Sequence, residues 1–179
     1  MRLFIAIPFE PPVLDALTAA QASFKSCGVR GNFTARANLH MTLAFLGEVR
    51  DPRPVIEVIR RVQMPQSAMA FEKTELFRDI LVCSFRVEPA LRQYVQALRR
   101  ELENAGVDFD RKPFRPHVTL VRRATFSGNK PDASAAPALQ DLNVPSRRVC
   151  LMRTDFIDRR PKYTPVFSKE AETKTAQPD

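Results

Sequence analysis

Glycine and cysteine are both scarce in this chain of 179 residues, which has five glycines and three cysteines. A loop that wraps the phosphates of a nucleotide needs clustered glycines, and neither a P-loop nor a glycine-rich cradle is present. The cysteines form no CxxC pair and no Cys/His cluster, which argues against a zinc site and a disulfide framework. We expect Cys27, Cys83 and Cys150 to be buried free thiols in a reducing compartment.

Long hydrophobic runs are also lacking. No segment approaches the roughly 20 apolar residues of a membrane-spanning helix, and the apolar run at residues 3–7 is too short for a signal-peptide core. The composition, 44% hydrophobic and 27% charged, is that of an ordinary globular protein. We therefore expect a cytoplasmic protein without a membrane partner, and we take it to be a monomer.

The charge is of one predominant sign, with a formal net charge of +8 and an isoelectric point near 9.9. This excess favours polyanionic partners, because lysine and arginine gain free energy by neutralising phosphates. On charge alone, a basic surface without a partner is an equally good interpretation.

Histidine is rare as well, and both histidines begin the same four-residue pattern, His-apolar-Thr-Leu. The first tetrad is His40-Met41-Thr42-Leu43 and the second tetrad is His117-Val118-Thr119-Leu120. Both tetrads lie in apolar runs that predict strands. Alternation along a strand then places each histidine and its threonine on one face, with the apolar residues on the other.

Hydrophobic periodicity predicts three helices and seven strands. The helices are expected at 11–26, 51–62 and 88–105, and the strands at 2–7, 38–47, 68–77, 79–87, 115–123, 146–156 and 162–168. Residues 125–143 are predicted to be a loop or insertion, and residues 169–179 a disordered tail.

The two histidines are 77 positions apart, and the same shift aligns a strand, a proline and a helix upstream of each. This register predicts two βαβ-like lobes related by a pseudo-twofold axis, with repeat units of about 1–48 and 78–124. Each lobe would contribute one His/Thr strand to a central cleft.

Several roles are open to the paired histidines. Single core histidines are common, but they would not require matching threonines. A zinc site normally has three or four protein ligands, and a Ser or Cys nucleophile would leave one tetrad without a role. Paired proton transfer uses both rings, one removing a proton from the attacking group and one protonating the leaving oxygen. Phosphodiester cleavage needs this arrangement, with the threonines donating to the non-bridging oxygens.

The tetrads resemble the paired HxTx motifs of the 2H phosphoesterases. Together with residues 1–8, 38–48 and 114–120, they closely resemble the bacterial and archaeal RNA 2′,3′-cyclic phosphodiesterases, also called 2′-5′ RNA ligases. The resemblance covers residues 1–168. It implies an α+β fold in a single domain, with two pseudo-symmetric lobes, antiparallel-dominated sheets flanked by helices, and an active-site cleft between the lobes.

The resemblance also implies an activity and its residues. It implies metal-independent hydrolysis, without a cofactor, of RNA or oligonucleotide 2′,3′-cyclic phosphate ends to a 2′-phosphate. His40 would be the proton donor to the 3′ oxygen and His117 the proton acceptor from water. Thr42, Thr119 and Arg122 would bind the phosphate.

Arg123 and Tyr163 are candidate substrate contacts. Strand alternation points Arg123, rather than Arg122, to the face of His117, whereas a bulge or strand end near Val121 would turn Arg122 there, and the resemblance alone ranks Arg122 first. Tyr163 matches a tyrosine in the last strand of the family. The chain departs from the family pattern at residues 75–78, at Thr154 and at residues 159–162. The basic stretches 147–148 and 159–162 would track an RNA backbone or be solvated loops. A reversible 2′-5′ RNA ligase and a non-catalytic RNA-end-binding module are the alternative functions.

Overall fold

Two antiparallel sheets form the framework of the protein. The structure, a computed structural model, describes residues 1–128 and 133–172. The helices are α1 (Pro11–Ser26), α2 (Arg53–Arg61) and α3 (Pro89–Asn104). The strands are β1 (Arg2–Pro8), β2 (Val29–Phe33), β3 (His40–Glu48), β4 (Ser67–Phe77), β5 (Ile80–Val87), β6 (His117–Phe126), β7 (Asn143–Ser146), β8 (Arg148–Ile157) and β9 (Arg160–Glu170).

The first sheet has the strand order β3-β1-β8-β9, and the second has the order β2-β6-β5-β4-β7. All strand pairs within the two sheets are antiparallel. The prediction of an α+β fold with antiparallel sheets is therefore confirmed.

The repeat seen in the sequence is visible in the two sheets. The unit β1-α1-β3 corresponds to β5-α3-β6, and in each unit the strand that carries the tetrad pairs with the strand before the helix. Proline in the first turn suits both helices because that position has no intrahelical partner for an N–H. The pairing of the two strands is antiparallel, so each tetrad lies beside the first strand of its own unit, with His40 opposite Pro8 and His117 opposite Ser84.

The helices pack their apolar faces against the sheets. On α3 the residues at helical spacing, Leu91, Val95, Leu98 and Leu102, are all buried. On α1, Leu17 and Phe24 are fully buried. Burial of each such side chain contributes roughly 1.5–3 kcal/mol, so these helices hold the sheets that carry the tetrads.

Two short strands differ from the sequence prediction. The sequence predicts no strand at residues 29–33, since they show no alternating apolar pattern, and only Val29 of β2 is fully buried. It joins the edge of the second sheet beside β6, although it follows the first helix in the chain. β7 begins at Asn143, the last residue of the predicted loop at 125–143, and continues to Ser146 in a pairing with β4. Residues 129–132 of that loop lie outside the described residues.

The C-terminal boundary and one thiol also differ. β9 continues to Glu170, and Glu172 forms a bridge with Pro65. The predicted tail at 169–179 therefore begins too early, because Lys169 donates to the carbonyl oxygens of Arg60 and Val62. Residues 173–179 lie outside the described part. All three cysteines are free, but Cys27 is exposed instead of buried.

None of the helices in the described ranges has the length and apolar character needed to cross a membrane.

Candidate active site

Both tetrads line one cleft between the two sheets. It has a volume of about 1300 Å³, and His40, Thr42, His117 and Thr119 all contribute to its wall. Met41, Leu43, Val118 and Leu120 are fully buried on the opposite faces of their strands. The predicted alternation is confirmed, and it brings two imidazoles and two hydroxyls to a common space.

His40 is held by a backbone carbonyl and a hydroxyl. Its Nδ1 lies 2.7 Å from the carbonyl oxygen of Asn38, and its Nε2 lies 3.0 Å from Oγ1 of Thr42. Because a carbonyl oxygen only accepts, Nδ1 carries the proton, and the hydroxyl of Thr42 donates to Nε2 in the neutral ring. The imidazole also packs against the rings of Phe4, at 4.9 Å, and Tyr163, at 5.2 Å between centroids.

His117 is held in the same way. Its Nδ1 lies 2.6 Å from the carbonyl oxygen of Arg115, the residue two positions earlier, as Asn38 is for His40. The ring of Phe77 packs edge-on against the imidazole at 4.9 Å. In both halves the backbone fixes the tautomer and leaves Nε2 as the nitrogen that can exchange a proton with a ligand.

The pKa of His40 is lowered to about 4, chiefly by burial and then by the nearby charges of Arg122 and His117, while the hydrogen bond that Nδ1 donates to the Asn38 carbonyl opposes the lowering. The pKa of His117 is also lowered, first by burial and then by Arg115 and Arg122. The carbonyl of Arg115 and the carboxylate of Glu75 oppose that lowering. In the free protein both rings are therefore neutral at pH 7.

A β-bulge follows each tetrad. In β3, Thr42 pairs with Ala6 and Ala44 pairs with Ile5, so Leu43 is an extra residue. Leu43 and Ala44 are consequently both buried, and the next residue, Phe45, faces the cleft.

The same bulge occurs in β6. There Thr119 pairs with Val82 and Val121 pairs with Leu81, so Leu120 is the extra residue. Leu120 and Val121 are both buried, and Arg122 faces the cleft. Strict alternation would turn Arg123 to the cleft in place of Arg122, and the bulge breaks that alternation at Leu120. Arg123 also lines the cleft, but it is Arg122 whose charge lowers the pKa of both histidines.

Gly31 of β2 supports the bulge of β6. Its φ is +142°, and a Cβ at this position would lie 2.7 Å from the carbonyl oxygen of Arg123 and 2.8 Å from that of Arg122. The amide of Gln21 donates to the carbonyl oxygen of Leu120 at 2.9 Å. Neither role could be predicted from the sequence, since both depend on contacts between elements that are far apart in the chain.

A polar cluster lies behind His117. The carboxylate of Glu75 accepts a hydrogen bond from Ser84, whose strand position pairs with His117. Glu75 also lies 3.5 Å from the guanidinium of Arg115 and 3.6 Å from Nζ of Lys73. Glu75 lies in one of the stretches where the sequence departs from the family pattern.

The remaining predicted residues divide into two groups. Tyr163 lines the cleft, as do Thr154, Arg159 and Arg160. Of the stretch 147–148, Arg148 instead pairs with Glu10 at 4.0 Å. Within residues 1–128 and 133–172, no group of three or more His, Cys, Asp or Glu side chains could hold a metal ion.

Comparisons with known proteins identify relatives of this chain. The model of the 2′-5′ RNA ligase superfamily matches residues 9–156. An RNA 2′,3′-cyclic phosphodiesterase of Escherichia coli strain K12 is 26% identical over 170 residues, which cover 92% of this chain and 93% of the relative. An RNA 2′,3′-cyclic phosphodiesterase of Thermotoga maritima is 27% identical over 132 residues, covering 68% and 70%. The crystal structure of E. coli LigT in apo form has the same fold, with a TM-score of 0.78 at 24% identity, covering 96% of this chain and 98% of that one.

Proposed function

The chain belongs to the 2′-5′ RNA ligase superfamily, and we propose that it hydrolyses RNA or nucleotide 2′,3′-cyclic phosphate ends to a 2′-phosphate. The observation that carries this proposal is the pair of imidazoles, each fixed through Nδ1 by a backbone carbonyl and each accompanied by a threonine. The activity in the names of the relatives supports the same reaction.

The reaction needs two proton transfers on opposite sides of phosphorus. Water attacks the phosphorus, the bond to the 3′ oxygen breaks, and the 2′ oxygen keeps the phosphate. In our proposal His117 accepts the proton of the water through Nε2, and His40 donates a proton to the departing 3′ oxygen. His117 gains the proton that the water loses, and His40 loses the proton that the 3′ oxygen gains. The enzyme returns to its starting state when His117 releases its proton to solvent and His40 takes one up.

Thr42, Thr119 and Arg122 hold the phosphate in this mechanism. Hydroxyl and guanidinium donors aimed at the non-bridging oxygens stabilise the charge that develops there in the transition state. Arg122 faces the cleft because of the bulge in β6, close enough to act on both histidines. The fixed cation and the two hydroxyls therefore supply the anion stabilisation that a metal ion supplies in other phosphoesterases.

The protonation states of the free protein define what substrate binding must change. His117 is neutral at rest, as a proton acceptor must be. His40, with a pKa of about 4, must gain a proton to act as a donor. An anionic phosphate beside it favours the charged ring and offsets the repulsion by Arg122, so the substrate itself raises the pKa of His40.

Hydrolysis of the four nucleoside 2′,3′-cyclic phosphates in the presence of EDTA tests the proposal, with the product identified by phosphorus NMR. We expect turnover that is unaffected by EDTA and a 2′-phosphate product. H40A and H117A should each lose at least about 100-fold in kcat, the lower end of what a general acid or base contributes. Their melting temperatures should stay close to that of the parent. Absence of turnover contradicts the function, and a 3′-phosphate product contradicts the assignment of the two histidines.

The same assay separates the alternatives. An RNA-end-binding module would bind cyclic ends without consuming them, and a ligase would join RNA halves that carry a 2′,3′-cyclic phosphate and a 5′-hydroxyl.

The free thiols support a reducing, cytoplasmic location for the proposed enzyme.

A further inference from the structure

The cleft is larger than the proposed chemistry requires. Pockets for compact small-molecule ligands are roughly 300–1,000 Å³, whereas this cleft has about 1300 Å³. Beyond the tetrads it is lined by a set of aromatic and basic side chains that take no part in the mechanism above. They are Phe45, Phe156, Arg2, Arg159 and Arg160, and we call them the distal wall.

Phe45 presents an uncovered ring to the cleft. It follows the bulge of β3 and occupies the position that Arg122 occupies after the bulge of β6. Half of Phe45 is exposed, and its ring lies 6.3 Å from Phe4, which packs against His40. At equivalent positions of the repeat, one side of the cleft therefore has the cation of Arg122, which suits a phosphate. The other side has the aromatic ring of Phe45, which suits a base.

Phe156 is a second uncovered ring, 61% exposed, near the end of β8. The tight turn that follows has Asp158 at φ +49° and Arg159 at φ +62°, the backbone of a two-residue hairpin turn. In the register of this hairpin Phe156 pairs with Pro161 and Ile157 pairs with Arg160. The short turn therefore holds Arg159 and Arg160 at the end of the hairpin that carries Phe156, and all three side chains line the cleft.

We propose that the distal wall binds the single-stranded RNA on the 5′ side of the cyclic phosphate, an inference that rests on the proposed function. Phe45 and Phe156 stack with bases, and Arg2, Arg159 and Arg160 contact the phosphates between them. Stacking on an aromatic ring needs a base that is not paired in a duplex, so the ligand is a single strand. A strand of several nucleotides then binds more tightly than a free nucleotide.

The charges along this part of the cleft agree with a polyanionic ligand. Among the described residues that line the cleft, Asp110 carries the one carboxylate, and it forms an ion pair with Lys112 at 3.0 Å. A protein partner with acidic and apolar groups would use the same side chains, so binding must be compared between nucleic acids of different form.

The first experiment measures KM for a nucleoside 2′,3′-cyclic phosphate and for a single-stranded octanucleotide with the same terminus. The octanucleotide should have the lower KM. F156A should raise its KM about tenfold relative to that of the nucleotide, as expected for loss of one stacked base, and F156Y should restore it. I157A is the matched control, because Ile157 is exposed on the same hairpin but does not line the cleft. Equal KM values for both substrates, or equal effects of F156A and I157A, would overturn the proposal.

The second experiment measures binding without turnover, by fluorescence anisotropy of a labelled octanucleotide that ends in a 2′-phosphate. The double variant R159A/R160A should weaken binding and reduce the salt slope of log K by about 1.4, the value for two phosphate contacts on a single strand. A duplex that binds as tightly as the single strand contradicts stacking. If no cyclic substrate is hydrolysed but binding still depends on Phe156, the distal wall stands and the proposed function fails. If cyclic substrates are hydrolysed but binding does not depend on Phe156, the proposed function stands and the distal wall fails.

Discussion

The carboxylate of Glu75 raises the pKa of the His117 imidazole, against the lowering caused by burial. The charges that act on His40 are instead the cations of Arg122 and His117, and both lower its pKa. The two halves of the repeat therefore hold equivalent histidines by equivalent backbone bonds in different electrostatic surroundings. Burial leaves the pKa of His117 below its ordinary value, but the carboxylate opposes that lowering, which suits His117 to the proposed role of proton acceptor.

E75Q tests this relationship. Glutamine keeps an acceptor for the hydroxyl of Ser84 but removes the negative charge, so the pKa of His117 should fall. His117 must be neutral to accept a proton. In the substrate complex, where the phosphate keeps His40 charged, protonation of His117 therefore forms the acidic limb of the kcat profile. That limb should move to lower pH in the variant.

The control for E75Q is E57Q, which removes an exposed carboxylate that pairs with Arg60 on α2. It should leave the acidic limb in place. Because the chain has two histidines, NMR titration of the imidazoles gives the two pKa values directly, with assignment from H40N and H117N. An unchanged pKa of His117 in E75Q would contradict the electrostatic role of the carboxylate.

The neighbouring residues Arg122 and Arg123 allow a second prediction. The charge of Arg122 lowers the pKa of both histidines, so R122M should raise both pKa values in the free protein. Loss of a charge-assisted contact with the phosphate, worth about 1.5–3 kcal/mol, should also reduce kcat/KM by about 10- to 150-fold.

R123M is the matched variant for the neighbouring arginine. It should leave both histidine titrations in place and change kcat/KM by less than about threefold, since Arg123 is not among the charges that shift either histidine and an exposed charge without a specific partner contributes little. Equal effects of R122M and R123M on the titrations would contradict the orientation that the bulge gives to these two side chains.

The tetrads and the repeat could be predicted from the sequence because their signals are local. A period of two and buried apolar neighbours suffice to place His40 and Thr42 on one face of a strand. The sequence leaves open whether a bulge follows near Val121, since a bulge depends on pairing with β5, and this bulge is what turns Arg122 to the histidines.

Long-range pairing also explains the other omissions. β2 is an edge strand with one fully buried residue, so its sequence has no periodic signal, and only the fold brings Gly31 against β6. Glu75 reaches His117 through the register of β4 on β5 and of β5 on β6. Each of these contacts joins residues that are far apart in the chain.

Acid stability should depend on His40. Its pKa is about 4 in the folded protein and about 6.5 in an unfolded chain, so between these values the unfolded state binds a proton that the folded state does not. Stability from this group is complete above pH 6.5 and is lost as the pH falls towards 4. The loss amounts to about 3 kcal/mol.

Urea unfolding of the parent and of H40N at pH 7 and at pH 4 measures this contribution. Between the two pH values the parent should lose about 3 kcal/mol more of its free energy of unfolding than H40N. Above pH 7 the difference between the two proteins should be constant, because His40 is neutral in both states. Parallel curves over the whole range would contradict the lowered pKa.

Gly31 should be essential for the position of Arg122. A Cβ at Gly31 would lie within 2.9 Å of Val121 Cγ1 and closer still to the carbonyl oxygens of Arg122 and Arg123, so G31A must push β2 away from the bulge. We expect a loss of about 2–4 kcal/mol in the free energy of unfolding and a fall in kcat/KM at temperatures where the variant is still folded. G106A is the control, because Gly106 has φ +68° but nothing within 4 Å of its Cβ position. It should cost about 1 kcal/mol for its backbone conformation and leave kcat/KM unchanged. If G31A and G106A had the same stability and full activity, the contact between β2 and the bulge would have no part in directing Arg122 into the cleft.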